Sequence, residues 1–326
     1  MILFEYPGWL YMSRIPFSRI TRFWGFKEKI RFERALNGRA SVVSSGSRLY
    51  VLKRRAASVP AGSCRCDLLA NLVGTGVPVS APVYARNGEF EITIGKYVYS
   101  LFSYIEGEKA DSDISHATPE LAVELGIFTG RLHKALEEID DDQLERTNLL
   151  KSLTAALRYF SAGDLEMELE SVEEFFTDFY KIYYRLPVQI IHGDYHPGNI
   201  IIHEGKVSGI VDFDCATREV KVLDLAYLVH SVFAEFLKMG SPSLFLYLLP
   251  YLLEGYSSEN TLSSSERESF VYLLSAISII QIHYFTAKEL TEEARFAKNV
   301  FKWLYKNSSR IKEKAGLVLA GSEKMI

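Results

Sequence analysis

Between residues 30 and 105 apolar and polar positions alternate over short stretches, whereas beyond Gly107 apolar positions recur every three or four residues. The first part is therefore predicted to be a sheet and the second a set of helices. Strands are predicted at "KIRFERAL", "SVVSS", "RLYVLKR", "FEITIG" and "KYVYSLFSYI", which carry β-branched and aromatic residues. Asn37-Gly38, Ser45-Gly46 and Asn87-Gly88 supply turns between them. One segment there, "GSCRCDLLANLVGTG", is predicted helical, with Leu68, Leu69 and Leu72 on one face and Gly74 and Gly76 as stops. A long helix should open at a Thr118 cap with Pro119 in its first turn and bury Leu121, Leu125, Phe128 and Leu132. Further helices are predicted near 145–160, 168–184, 222–240, 264–290 and 293–315. Residues 190–214, "IIHGDYHPGNIIIHEGKVSGIVDFD", interrupt them as a strand, a loop and a short hairpin. The pattern implies an α+β, bilobal chain: a small antiparallel sheet lobe with one helix over 1–105, and a larger, mainly helical lobe over 106–326. Neither internal repeats nor low-complexity segments occur.

Composition narrows the class without changing that picture. With 326 residues, 48% hydrophobic and 24% charged, the chain can bury a large core in two lobes. A net charge of −4 gives no general reason to expect nucleic acid as a partner. The charge is unevenly spread, however: basic side chains from Arg14 to Arg55 face only Glu5, Glu28 and Glu33. Such a region suits a polyanionic ligand or a solvated basic surface equally well. Cys64, Cys66 and Cys215 suit neither a disulfide framework nor a zinc knuckle, and a reducing cytoplasm is expected. The opening "MILFEYPGWLYM" is interrupted by Glu5 and Pro7. "LFLYLLPYLL" and "VYLLSAISIIQIHYF" fall short of the roughly 18 to 20 residues of a membrane span, so no membrane is expected.

Chemistry concentrates at the lips of the interrupting strands. His192, Asp194 and Asn199 fit H-x-D-x-x-x-x-N, and Asp212 follows the apolar pair Ile210-Val211. A carboxylate at Asp194 can accept a hydroxyl proton, the turn between it and Asn199 can present an amide oxygen to a metal, and Asp212 can supply a charged ligand. At "HGDYHPGN" and "IVDFD" the chain resembles the aminoglycoside phosphotransferase and choline kinase-like family, which has a protein-kinase-like fold. The resemblance covers roughly residues 18 to 310, Asp224-Leu225-Ala226 included, and lies nearest the spore-coat kinase-like and type II homoserine kinase branch. It implies an ATP- and Mg2+-dependent phosphotransferase with ATP between the lobes, Asn199 and Asp212 as metal ligands and Asp194 as the catalytic carboxylate. His192 and Asp224 would brace the loop, and Asp214 would assist the metal or touch substrate.

Other parts of the site are expected in the sheet lobe. Lys53, at the end of "YVLK", would neutralise phosphate charge; it shares a strand face with Leu49 and Val51, which argues that this face is buried. Between Lys53 and Gly74 the acid available to orient it is Asp67, which either pairs with Lys53 or faces solvent. Gly38 would let the backbone of "LNGRAS" approach the phosphates, with the amides of Arg39 to Ser41 as donors; an ordinary tight hairpin explains the same residues. "LFSYIEGE" resembles an inter-lobe hinge, in which backbone groups of Ser103 and Ile105 would hold adenine and Phe102 would line the rear.

The acceptor is expected to be a small molecule bearing a hydroxyl: an aminoglycoside, choline, homoserine or a sugar-like compound. Aromatic residues in "FFTDFYKIYYRL" and "IHYFTAKEL" would form either a cage for a quaternary amine or plain core. A protein kinase is disfavoured, since no A-P-E follows Asp212 and Asp214 stands in the usual glycine's place. The alternative from another class is a kinase-like, spore-coat-type structural protein that binds nucleotide without turnover.

Overall fold

The computed structural model describes residues 17–58, 65–112, 114, 117–141, 144–160 and 169–321. The apolar opening stretch, Arg14 and Cys64 lie outside the described residues. The chain divides into two compact units, one reaching to Glu106 and joined by Gly209–Asp214, the other formed by Gly107–Ser208 and everything from Cys215 onward.

In the first unit the predicted strands appear as β1 (Arg31–Ala35), β2 (Ala40–Ser45), β3 (Arg48–Ala56), β4 (Glu91–Ile94) and β5 (Tyr97–Ser103). They form an antiparallel sheet in the order β1-β2-β3-β5-β4. The register sets Lys53 opposite Ala40 on one side and Ser100 on the other. Val43, Leu52, Ile92, Tyr99 and Leu101 make one face of the core. An unpredicted helix, α1 (Phe17–Trp24), covers that face with Ile20 and Trp24. It is locked there because the Trp24 indole donates to the Val83 carbonyl at 2.7 Å and Thr21 Oγ1 accepts the Ile30 amide at 2.9 Å. The predicted α2 (Cys66–Gly74) buries Leu68, Leu69 and Leu72. The expectation for the Lys53 face is overturned: Leu52 points into the core, whereas Leu49 is 41% exposed. Strand alternation holds, but the core lies on the even-numbered side of β3.

The second unit is mainly helical: α3 (Pro119–Glu137), α4 (Leu149–Tyr159), α5 (Leu169–Tyr183), α6 (Val222–Lys238), α7 (Pro242–Glu259), α8 (Ser264–Ala287), α9 (Thr291–Lys306) and α10 (Ser308–Gly321). Thr118 caps α3, its hydroxyl accepting the Leu121 amide. Short strands carry the interruption: β7 (Val188–Ile191) pairs antiparallel with β10 (Thr217–Val220), and β6 (Glu108–Lys109), β8 (Ile200–His203) and β9 (Lys206–Ile210) form a second small sheet.

Two helices differ from the sequence pattern. The predicted helix over 293–315 is two, since Asn307 turns its side-chain amide back onto the Trp303 carbonyl at 2.9 Å and ends α9. No helix was predicted over α7, whose apolar run contains Pro250. A proline inside a helix costs about 3 kcal/mol. Phe245, Leu246, Leu248, Leu249, Leu252 and Leu253 are all buried there, and at about 1.5 to 3 kcal/mol for each large side chain their burial outweighs that cost. Helices α3 and α7 touch backbone to backbone: a Cβ added at Gly126 would lie 2.0 Å from the Leu252 carbonyl oxygen, and one at Gly255 would lie 2.1 Å from that of Val123.

Helix α8, at 24 residues, is long and apolar enough to cross a membrane, contrary to the length expected of its apolar stretch. Its most apolar window is 61% buried against other parts of the chain, as in a core helix. Helices α4, α5, α6, α9 and α10 pack on it. Part of the aromatic set of α5 is core as well: Phe176 and Phe179 are fully buried, and Phe179 stacks on Tyr272 at 5.7 Å, while Phe175 and Tyr180 are half-buried. They form no cage. Cys215 is exposed and forms no disulfide.

His230 of α6 tests this core. Its Nε2 lies 2.8 Å from Ser278 Oγ on α8, and burial pushes its pKa down to about 4. The unfolded chain takes up that proton near pH 6.5, so this part of the stability is complete above pH 6.5 and is lost as pH falls toward 4. The expected loss is about 3 kcal/mol. His230→Gln should reduce the shift of the urea midpoint between those two pH values; an unchanged shift would refute this assignment.

Candidate functional site

Each unit assembles one part of the expected site. In the second unit β7 delivers the chain to His192, a loop runs to Tyr195, and a 3-10 turn over Pro197–Asn199 feeds β8. The loop is anchored from below by Asp224, buried in the first turn of α6. Its Oδ2 accepts the His192 amide at 2.6 Å and its Oδ1 the Gly193 amide at 3.0 Å. His133 of α3 places Nε2 at 3.7 Å from Asp224 Oδ2, while its Nδ1 lies 3.0 Å from the Tyr256 hydroxyl. The His192 ring is buried and its Nδ1 accepts the Asp194 amide at 3.2 Å. It braces the loop, as expected. Tyr195 drives its ring inward until its hydroxyl meets Thr129 Oγ1 at 2.9 Å, and burial pushes its pKa far up.

Gly193 makes this geometry available. Its φ of +76° is costly for other residues, and an added Cβ would stand 2.2 Å from the Cys215 carbonyl oxygen.

The anchored loop brings Asp194 and Asn199 together. Asn199 Nδ2 donates to the Asp194 carbonyl oxygen at 2.9 Å and to Asp194 Oδ2 at 3.3 Å. Among the described residues no donor meets Asn199 Oδ1, so the amide oxygen is the group left for a ligand. The Asp194 side chain is 51% exposed. The His196 ring beside it holds its carboxyl below the usual carboxylate range against the opposing effect of burial, with help from His192 and Asn199. It is therefore ionised at neutral pH. The structure sets His196 Nε2 at 3.7 Å from Asp194 Oδ2.

In the first unit Lys53 and Asp212 meet directly. Lys53 Nζ donates to Asp212 Oδ1 at 2.7 Å and lies 3.4 Å from both oxygens of Asp214. Burial alone would lower the lysine's pKa, but the two carboxylates outweigh it and hold the pKa above the ordinary value. Asp214 is raised by desolvation and by the like charge of Asp212, with Lys53 opposing. Asp212 has φ +71°, a left-handed conformation uncommon outside glycine but tolerated by Asp. Asp67 is exposed on the first turn of α2, and the counter-ions of Lys53 are Asp212 and Asp214. Of the two alternatives for Asp67, the solvent-facing one holds.

The remaining expected residues divide. Ser103 is already engaged: its amide donates to the Ala81 carbonyl at 2.8 Å and its carbonyl accepts the Ser80 hydroxyl at 2.6 Å. Its amide is therefore taken, while its carbonyl, with two lone pairs, keeps one acceptor position for adenine. Ile105 lies beyond the last β5 pairing, and among the described residues its backbone N–H and C=O make no hydrogen bond. Phe102 is buried, with Lys53 Nζ 5.2 Å from its ring centroid. Gly38 sits in the turn between β1 and β2, where nothing lies within 4 Å of an added Cβ. The amides of Arg39 and Ala40 both donate to Asn37 Oδ1 at 2.8 Å, so the turn caps itself and those donors are not free for phosphate. Among the described residues no cluster of three or more His, Cys, Asp or Glu side chains could hold a metal. Mg2+ needs few protein ligands beside phosphate oxygens, and one amide oxygen and one carboxylate fit it.

Residues 33–245 match the family model described as the phosphotransferase enzyme family. A homoserine kinase of Zymomonas mobilis is 24% identical over 222 residues, covering 64% of this chain and 63% of that protein. The chain thus spans just under two thirds of that relative's length. An aminoglycoside 3'-phosphotransferase of Enterococcus faecalis is 33% identical over 125 residues, 35% of this chain and 46% of that one. Among solved structures, an amicoumacin kinase in complex with AMP-PNP, Ca2+ and Ami superposes with a TM-score of 0.64 at 17% identity, covering 91% of this chain and 94% of that one. At that identity the likeness shows the fold, which is the expected α+β, protein-kinase-like one.

Gly193 carries the prediction here. Gly193→Ala should lower stability by about 2 kcal/mol or more through backbone strain and the Cys215 clash. Urea denaturation checks this, and a midpoint equal to that of the parent would contradict it.

Proposed function

The chain belongs to the phosphotransferase enzyme family, and on that premise we propose that it is a small-molecule kinase moving the terminal phosphoryl group of ATP to a hydroxyl. The observation that carries this reading is the Asp194–Asn199 pair, an ionised, half-exposed carboxylate tied to an amide whose oxygen is left over. Asn199 and Asp212 are the residues that would hold Mg2+, which when bound neutralises phosphate charge. Lys53 offers a cation to the phosphates, Asp214 adds a carboxylate beside Asp212, and the unpaired backbone of Ile105 offers a donor and an acceptor to adenine. Asp194 orients the acceptor hydroxyl and receives its proton. As the new O–P bond forms, the bond from the terminal phosphorus to its bridging oxygen breaks, and that electron pair leaves with ADP.

The relatives named homoserine kinase favour an amino alcohol as acceptor, and the one named aminoglycoside 3'-phosphotransferase makes a polyhydroxylated amine the next candidate. The reaction would run in the cytoplasm, where ATP is supplied, without membrane or nucleic acid as partner. A second reading, a nucleotide-binding protein without turnover, is favoured by one observation: no α2 acid orients Lys53.

ADP release measured over a panel of homoserine, choline, aminoglycosides and simple sugars separates the two. We expect turnover with at least one hydroxyl compound, and a loss of about 100-fold or more in kcat for Asp194→Asn and Asp212→Ala at unchanged thermal stability. Turnover near that of the parent in either variant would defeat the assignment.

A further inference from the structure

We infer that His196 is a positioning residue that divides the work between the two oxygens of Asp194, pinning Oδ2 so that Oδ1 alone meets the acceptor hydroxyl. The inference deepens the phosphotransfer reading above and rests on it. Both side-chain donors approach the same oxygen: Asn199 Nδ2 stands 3.3 Å from Oδ2 and His196 Nε2 stands 3.7 Å from it, just beyond hydrogen-bond length. Among the described residues no donor meets Oδ1. The plane of a carboxylate turns on a soft torsion, so one donor leaves it free to swing, while a second N–H held close against the same oxygen narrows that swing.

The tautomer of His196 follows from its other side. The Gly198 amide donates to His196 Nδ1 at 3.1 Å, so in the neutral ring Nδ1 is an acceptor and the proton sits on Nε2, the atom facing Asp194. The local sequence His-Pro-Gly-Asn builds this arrangement. Pro197 restricts the residue before it to extended backbone, and His196 is extended, with φ −138° and ψ 163°. The 3-10 turn then carries the Gly198 amide back under the ring. Gly198 also leaves space for it: an added Cβ would lie 2.8 Å from His196 Cε1 and 3.2 Å from Asp111 Oδ2. Asn199, next in the chain, is the second donor.

Two substitutions separate the two ring nitrogens. His196→Asn keeps an acceptor near the Gly198 amide and removes the donor, whereas His196→Gln can place an amide N–H where Nε2 stood and gives up the cap. We expect His196→Asn to lower kcat by about 10- to 100-fold with KM values for ATP and acceptor little changed, and His196→Gln to recover most of that loss. Equal losses, or a better rescue by Asn, would mean that the ring only shapes the loop, and would overturn the inference. Should the parent protein transfer no phosphate to any compound of the panel, the phosphotransfer reading fails, and long-range 1H–15N spectra of the full chain decide the placement of His196 by themselves. An Nε2–H tautomer whose signal moves in Asp194→Asn supports it; an Nδ1–H tautomer, or a signal indifferent to Asp194, overturns it.

Discussion

A carboxylate sealed from water must be answered by donors, and the way Asp224 is answered sets the site in the second unit. An unpaired buried charge would cost several kcal/mol, so the backbone amides of His192 and Gly193 are drawn onto its two oxygens. With those amides held, Gly193 adopts its left-handed turn and the next residue, Asp194, emerges half-exposed. The polar partners in the loop then close on one another: His192 takes the Asp194 amide, Asn199 takes the Asp194 carbonyl, and Tyr195 plugs into α3. The exposure of Asp194 thus begins from this buried carboxyl.

The first unit solves the opposite problem, a half-buried cation. Lys53 would lose its proton more easily through desolvation, and Asp212 and Asp214 reverse that tendency. The arrangement keeps three charges side by side in a space where two carboxylates alone would repel. Asp212 holds an uncommon backbone conformation there, a local strain that persists because the surrounding pairing requires it.

Much of this was legible because the sheet strands and the loop motif are short-range features. The five strands and their turns follow from alternation, and Asp194, Asn199 and Asp212 stand out by spacing. What was not legible depends on partners distant in sequence. The face of Lys53 was misjudged because alternation tells which residues share a side but not which side meets α1, itself unseen. The Ser103 amide turned out to be claimed by Ala81, and the Gly38 turn hid Asn37 as its own cap. Helix α7 was obscured by Pro250, whose penalty is local while the compensating burial is tertiary. His196 could have been found from Pro197 and Gly198 following it, which fix the ring's direction.

The glycine contacts between α3 and α7 have a mechanical consequence. Where two helical backbones touch, a one-residue slippage would drive a side chain into a slot sized for hydrogen, so the pair is keyed in a single register. Tyr256 follows Gly255 on α7, and His133 lies one turn past Gly130 on α3, so the key also sets the height at which the imidazole stands beside Asp224. Alignment of the loop is thereby borrowed from a seam of the smallest residues in the chain, and a methyl group added there would be felt as a displaced carboxylate.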